Sequence, residues 1–458
     1  MRVLLLNPPG REVYIRDYFC SKTTKSSYLF HPIDLLGLSG TLAEQHEVSV
    51  LDAIAERLTP ASARARIEQL DPEVVVSLVG SVSWEEDRSF LASIAGDRRR
   101  IFAIGDVLHE AAEERLAEEP WLEVALDDFT NRDVLYAIER NHERLERATW
   151  RDEGGAVRTR HLKHPDSQFR LPRPRHELFP RRGYRFSFAR SQRFATVLTD
   201  YGCPYPCTFC VIGTLGFKTR PVEDVLEEID SLRARGVTEL FVMDQTFGVR
   251  RDRALELCAA LEERGDLSFT AFTRPDTADR ELLEAMANAG CHTVILGIES
   301  ASAELLRLYR KGYDPSSASE AVRRARDAGM RTVGTFIVGL PEDTRESLED
   351  TLQLAIGLDL DFMSLNVAVP RFGTDFRQRA LEDGVAREED LVMDQGGASV
   401  ALATETLPPG EVLAIKQAMV RRFYLRPGYL WRRLRGVRSA GELVGQAREG
   451  LALLGRNR

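Results

Sequence analysis

Short apolar runs alternate with amphipathic stretches along most of the chain. From residue 1 to about 140 the runs 3–7, 48–52, 74–79, 101–105 and 124–126 read as strands, with helical-period stretches between them. This alternation predicts an open, doubly wound, Rossmann-like parallel sheet, and ligands of such sheets lie beyond the carboxyl ends of the strands. Between 141 and 192 the periodicity fades. Residues 147–160, with Gly154-Gly155 between polar flanks, read as an exposed hairpin, and Leu171-Pro-Arg-Pro-Arg175 reads as an extended linker. A second array follows over 193–390, with strands at 194–199, 239–243, 268–272, 293–297, 332–338 and 362–367. Helices begin near Pro221, Arg251, Asp279, Ser316 and Thr344. Six such units predict a partial (β/α)6 TIM-type barrel whose chemistry sits at the carboxyl ends of its strands. The fold class is therefore α/β, with residues 391–458 as a helical, arginine-rich C-terminal segment.

Two segments stand outside the periodicity. The connection 8–32 is unusually long and carries Tyr14, Tyr18, Cys20, Lys22, Lys25, Tyr28 and His31; loops of this length are functional lids or mobile surface segments. The C-terminal stretch from Lys416 interleaves arginines with Phe423, Tyr424, Tyr429, Leu430 and Trp431. It reads as a cap over the barrel's open side or as an amphipathic segment in peripheral membrane contact.

The 458 residues, 43% hydrophobic and 29% charged, have the composition of an ordinary soluble protein, and no apolar run reaches the length of a membrane span. No signal peptide precedes the first strand, so a cytoplasmic location is expected. The net charge of −9 argues against nucleic acid as a partner. Six cysteines, three of them grouped, suit a reducing compartment and a metal. Cys258 and Cys291 fall within helical and strand patterns and are expected in the core.

The grouped cysteines are Cys203, Cys207 and Cys210, in Thr199-Asp-Tyr-Gly-Cys-Pro-Tyr-Pro-Cys-Thr-Phe-Cys210. Three thiolates on a tight loop can ligate three irons of a cube and leave the fourth open; zinc or disulfide bonding are the other uses of clustered cysteines. The C-x3-C-x2-C spacing, with Phe209 before the last cysteine, resembles the radical S-adenosylmethionine (SAM) superfamily. The resemblance implies a 4Fe-4S cluster on these cysteines and SAM chelated at the open iron. It also implies a reductase, flavodoxin or ferredoxin as electron donor.

Other strand ends match that family in order. Asp244 would meet the SAM ammonium, Arg274 its carboxylate and Glu299 its ribose or amino group. Thr335-Phe-Ile-Val-Gly-Leu-Pro-Glu342, with Ile337, resembles the element that lies against adenine. The first array resembles the cobalamin (B12)-binding domain of a subfamily, which would place the corrin beside strands 3–7 and 74–79. Its nucleotide tail would then lie near Ser81, Ser83 and Gly105, with Asn7 a further cobalamin-binding residue. The cobalt-ligating D-x-H-x-x-G motif is absent, and Asp106 and Asp127-Asp128 stand where relatives carry glycine-rich turns.

The resemblance implies functionalisation of an unactivated carbon in a small-molecule or lipid-like substrate by cobalamin-dependent methyl transfer. The alternatives are a radical cyclase, coupling enzyme or mutase with a vestigial cobalamin domain, or a corrinoid- or metal-binding protein that is not an enzyme. No motif marks a catalytic residue.

Overall fold

The computed structural model of the protein describes residues 1–25, 28–96, 98–109, 111–162, 168–388, 394–396, 402–436 and 450. Its N-terminal part contains β1 (Arg2–Asn7), β2 (Tyr14–Arg16), β3 (Ser21–Thr23), β4 (Glu47–Asp52), β5 (Val74–Leu78), β6 (Arg100–Ile104), β7 (Leu122–Leu126), β8 (Arg147–Arg151) and β9 (Val157–His161). The first sheet has the order β4-β1-β5-β6-β7-β8-β9, parallel through β7. Apolar residues on both faces of β1 and β5 explain their burial between helical layers.

Among the parallel strands the order runs second, first, third, fourth, fifth, so the direction of winding reverses between β1 and β5. A crevice opens at such a reversal.

The hairpin expected to stand exposed in the linker is part of this sheet: β8 pairs antiparallel with β7, and β9 with β8. Ala148 and Trp150 alternate inward on β8 and supply the apolar face that holds it there.

The barrel comprises β10 (Phe194–Val197), a small antiparallel pair β11 (Asp200–Gly202) and β12 (Phe217–Thr219) around the cysteine loop, then β13 (Glu239–Val242), β14 (Ser268–Thr273), β15 (Cys291–Glu299), β16 (Arg331–Val338) and β17 (Phe362–Val367). The order β10-β13-β14-β15-β16-β17 is wholly parallel and leaves a gap between β10 and β17. Along each strand the side chains alternate. Ala195, Val197, Leu240 and Val242 pack under the outer helices, with buried Cys258 and Cys291 in the same core as expected. Phe194, Phe241, Ile295 and Val333 face the interior.

The helix Pro409–Tyr424 packs Val412, Met419, Val420 and Phe423 into the outer core, and the Tyr424 hydroxyl bonds both backbone groups of Met363. Arg422 pairs with Glu349 and Arg432 with Asp359, so this segment caps the barrel; residues 437–449 and 451–458 of the expected tail lie outside the described residues. Among the described residues no helix is long and apolar enough to cross a membrane.

Among its described residues the connection 8–32 is mostly buried rather than standing out as an exposed lid. Residues 14–21 are all buried, β2 and β3 form a hairpin, and Tyr18 stacks on Tyr201 of the barrel at 4.9 Å. Its apolar residues join one cluster containing Val3 and Leu5 of the first sheet and Phe241 and Ile295 of the barrel. The segment is a wedge between the two sheets.

Candidate active site

Cys203, Cys207 and Cys210 lie on the loop between β11 and β12. Gly202 and Gly216 pinch its base: both have positive φ, and a Cβ on Gly202 would lie 1.8 Å from the Gly216 carbonyl oxygen. Cys207 is buried and the other two are half-buried. Burial, with Cys207 next, pushes the Cys210 thiol up to about 12. Burial also raises Cys207, against the opposing pull of the Lys311 and Arg274 cations. Among the described residues no three His, Cys, Asp or Glu side chains gather closely enough to ligate one metal ion. Three thiolates on one loop are the donor set that a cube takes at three of its corners.

A cavity of about 2780 Å³ runs from this loop down the barrel and is lined by all three cysteines. Pockets for drug-sized ligands span roughly 300–1,000 Å³, so SAM and a second molecule fit together.

The sequence-expected SAM residues divide. Phe209, Arg274 and Glu299 line the cavity. Arg274 donates to Asp276 at 2.9 Å through Nε and Nη2, lies over the Tyr205 ring at 3.7 Å, and directs Nη1 to Cys207 Sγ at 3.6 Å. Glu299 pairs with Lys311 at 2.8 Å and holds a positive φ of 69° at the end of β15, an uncommon conformation for a residue other than glycine. Ile337 packs with Phe209 in a small cluster behind the cavity rather than lining it.

Asp244 is misplaced for a SAM ammonium. It is fully buried, and its oxygens accept from the Thr199 and Asp200 amides at 2.6 and 2.9 Å and from the Thr199 hydroxyl, tying the end of β10 to β13. Its neighbours Gln245 and Thr246 line the cavity instead, and Thr246 Oγ1 lies 3.8 Å from Cys203 Sγ.

Sequence reasoning gave no role to Lys311 or to Tyr205, both on the cavity wall; Lys25 and Lys416, also on it, were singled out only as parts of the long connection and of the C-terminal stretch. Tyr205, inside the cysteine motif, carried a local signal.

Asn7, Ser81, Ser83 and Gly105 do lie at the carboxyl edge, but the wedge occupies the crevice they border. Arg16, with a wholly buried side chain, pairs with Asp87 at 2.6 Å and donates to Asn7 Oδ1 at 2.8 Å, the Pro8 carbonyl at 3.0 Å and Ser83 Oγ at 3.0 Å. Ser21 joins Ser81 Oγ at 3.1 Å and donates its amide to Asp106 at 2.7 Å. A Cβ on Gly105 would lie 1.8 Å from the Val79 carbonyl oxygen, so this glycine serves close backbone packing. The aspartates in the glycine-rich positions hold the same junction. Asp106 also accepts the Ser81 amide at 2.8 Å, and Asp128 pairs with Lys218 of β12 at 2.5 Å. These residues therefore do not form an open slot for a nucleotide tail.

A cysteine loop at the mouth of a partial parallel barrel, opening on a cavity with room for two molecules, defines a radical SAM architecture. The radical SAM superfamily model matches residues 197–355. An uncharacterized methyltransferase of Pyrococcus horikoshii is 30% identical over 403 residues, covering 84% of each chain. The chain belongs to the radical SAM superfamily.

Among solved structures, the radical SAM methyltransferase TsrM from Kitasatospora setae, with cobalamin and a 4Fe-4S cluster bound, matches with a TM-score of 0.64 at 21% identity. The match covers 83% of this chain and 75% of that one. The cobalamin-dependent SAM radical enzyme OxsB, with aqua-cobalamin bound, matches at 0.69 and 15% identity over 98% of this chain and 72% of that one. Both share the fold.

Proposed function

We propose that this protein cleaves SAM reductively at a 4Fe-4S cluster on Cys203, Cys207 and Cys210 and functionalises an unactivated carbon of a substrate held in the barrel cavity. The observation that carries the reading is that the three cysteines line the same large cavity as Arg274, Glu299 and Phe209. When bound, the cluster supplies the electron for the cleavage. Arg274, held by Asp276 and Tyr205, presents a guanidinium edge beside Cys207 that suits a carboxylate. The Glu299–Lys311 pair offers an acceptor and a donor to the sugar and amino groups, and Phe209 closes one wall.

Methyl transfer is favoured by the methyltransferase name of the Pyrococcus relative, which matches most of this chain. Cyclisation, coupling or rearrangement, with the first sheet as scaffold, is favoured by the filled crevice at Arg16. Protein prepared anaerobically with excess cobalamin separates the two: one corrinoid per chain carries methyl transfer, and stoichiometric cluster without corrinoid carries the other. Failure to form methionine and 5'-deoxyadenosine under reduction would overturn both. An electron donor of the flavodoxin or ferredoxin class and a cytoplasmic location belong to the same reading.

A further inference from the structure

Arg274 is expected from the sequence to meet the SAM carboxylate, yet the fold spends most of its donors inside the protein. Nε and Nη2 donate to the two oxygens of Asp276 at 2.9 Å each, Nη2 also donates to the Lys311 carbonyl, and Nη1 donates to Cys207 Sγ at 3.6 Å. A guanidinium has about five N–H groups, so these bonds leave one of them, on Nη1, for a ligand.

The ring systems around it fix that orientation. The guanidinium lies 3.7 Å above the Tyr205 ring and 5.2 Å from the Tyr313 ring, and the Tyr205 hydroxyl is tied to Thr277 at 3.1 Å. Tyr205 belongs to the cysteine loop, so the loop that carries Cys207 also carries the platform under Arg274. The Arg274 side chain is 5% exposed while that of Asp276 is 29% exposed. Water therefore screens the carboxylate more than it screens the cation.

The other two cysteines meet weaker donors. Thr246 Oγ1 lies 3.8 Å from Cys203 Sγ but gives its proton to the Gln245 carbonyl at 2.8 Å, and Cys210 is met by the uncharged Ile212 amide. Lys311 also faces Cys207, but its ammonium is paired with Glu299 at 2.8 Å. Among the described residues, Cys207 is thus the cysteine of this loop that accepts a hydrogen bond from a cation.

One-electron reduction of a 4Fe-4S cluster from its 2+ to its 1+ state, by a donor of the flavodoxin or ferredoxin class, adds a negative charge that its thiolates share. Hydrogen bonds to those sulfurs, net charge and burial set the potential at which the electron is accepted. We propose that Arg274 is a redox-tuning residue, whose Nη1–H···Sγ bond to Cys207 raises the midpoint potential of the cluster before SAM arrives. Asp276 and Tyr205 are positioning residues that act through it. This deepens the cluster reading above and rests on it.

An EPR-monitored potentiometric titration of the reconstituted full-length protein, without SAM, tests it. Arg274→Gln should move the midpoint to the negative side by about 59 mV or more, a tenfold loss in the one-electron equilibrium. An unchanged midpoint, with SAM binding alone weakened, would overturn the proposal and leave Arg274 as a carboxylate partner only. A second measurement needs no variant: pulsed EPR on the reduced, unaltered protein carrying nitrogen-15 arginine should show an arginine nitrogen coupled to the cluster spin in the absence of SAM. Absence of that coupling would also overturn the proposal, and this measurement decides if Arg274→Gln takes up no cluster. Unaltered protein that assembles no four-iron cluster would instead refute the radical SAM reading itself, before any potential is compared.

Discussion

At the residue scale, chemistry concentrates on side chains whose surroundings hold them in one state. Changing Cys203, Cys207 or Cys210 to alanine should abolish the iron–sulfur absorption and SAM cleavage, because two thiolates hold a cube poorly. Cys258→Ala should retain both, since that thiol packs in the outer core. Retention of four irons by the triple variant would refute the assignment. Lys416 gives a pH signature. Burial, partly opposed by Asp394, lowers it from the ordinary 10.5 to about 8, with Lys25 facing it from the wedge. Between these values the unfolded chain binds more protons, so stability should rise with pH from about 8 to 10.5. A stability unchanged between pH 8 and 10.5 would show that this lysine is not held below its ordinary range. Asp244 shows why a strand-end carboxylate misleads when read from sequence: its partners, the Thr199 and Asp200 amides, belong to a neighbouring strand's end.

At the element scale, the wedge is the decisive piece. Arg16→Ala would leave Asp87 buried without its cation, and losses of this kind are about 3–5 kcal/mol. Chemical denaturation should register it, together with faster proteolysis within residues 8–32; an unchanged midpoint would show that the pair carries little of the wedge's hold. The helix Pro427–Gly436 makes a different element-level prediction. Leu430, Trp431 and Leu434 are exposed beside Arg433 and Arg435. Peripheral membrane contact through this face should retain the protein on anionic vesicles at low salt, with about 1 kcal/mol per basic residue near the surface. Serine at all three apolar positions should release it, and equal retention on neutral vesicles would speak against this contact.

At the scale of the whole molecule, one apolar cluster runs from the first sheet through the wedge into the barrel. Heating should therefore give a single calorimetric transition, and residues 1–162 alone should be insoluble because Tyr18, Phe19 and Phe30 would lose their cover. Two separated transitions would show the halves to be independent. The alternation of apolar and polar positions was enough to predict both parallel sheets, because strand and helix periods are local properties of the chain. The cysteine loop was legible for the same reason: its three cysteines sit within eight residues of one another. Tertiary structure alone decided that the long connection fills the crevice at the reversal of the first sheet, that Asp106 meets Arg371 at 3.5 Å and Asp128 meets Lys218 across the two halves, and that Lys25 and Lys416 share a wall. Those contacts join residues up to about four hundred positions apart, and their energies depend on burial and on partners that no local window of sequence contains.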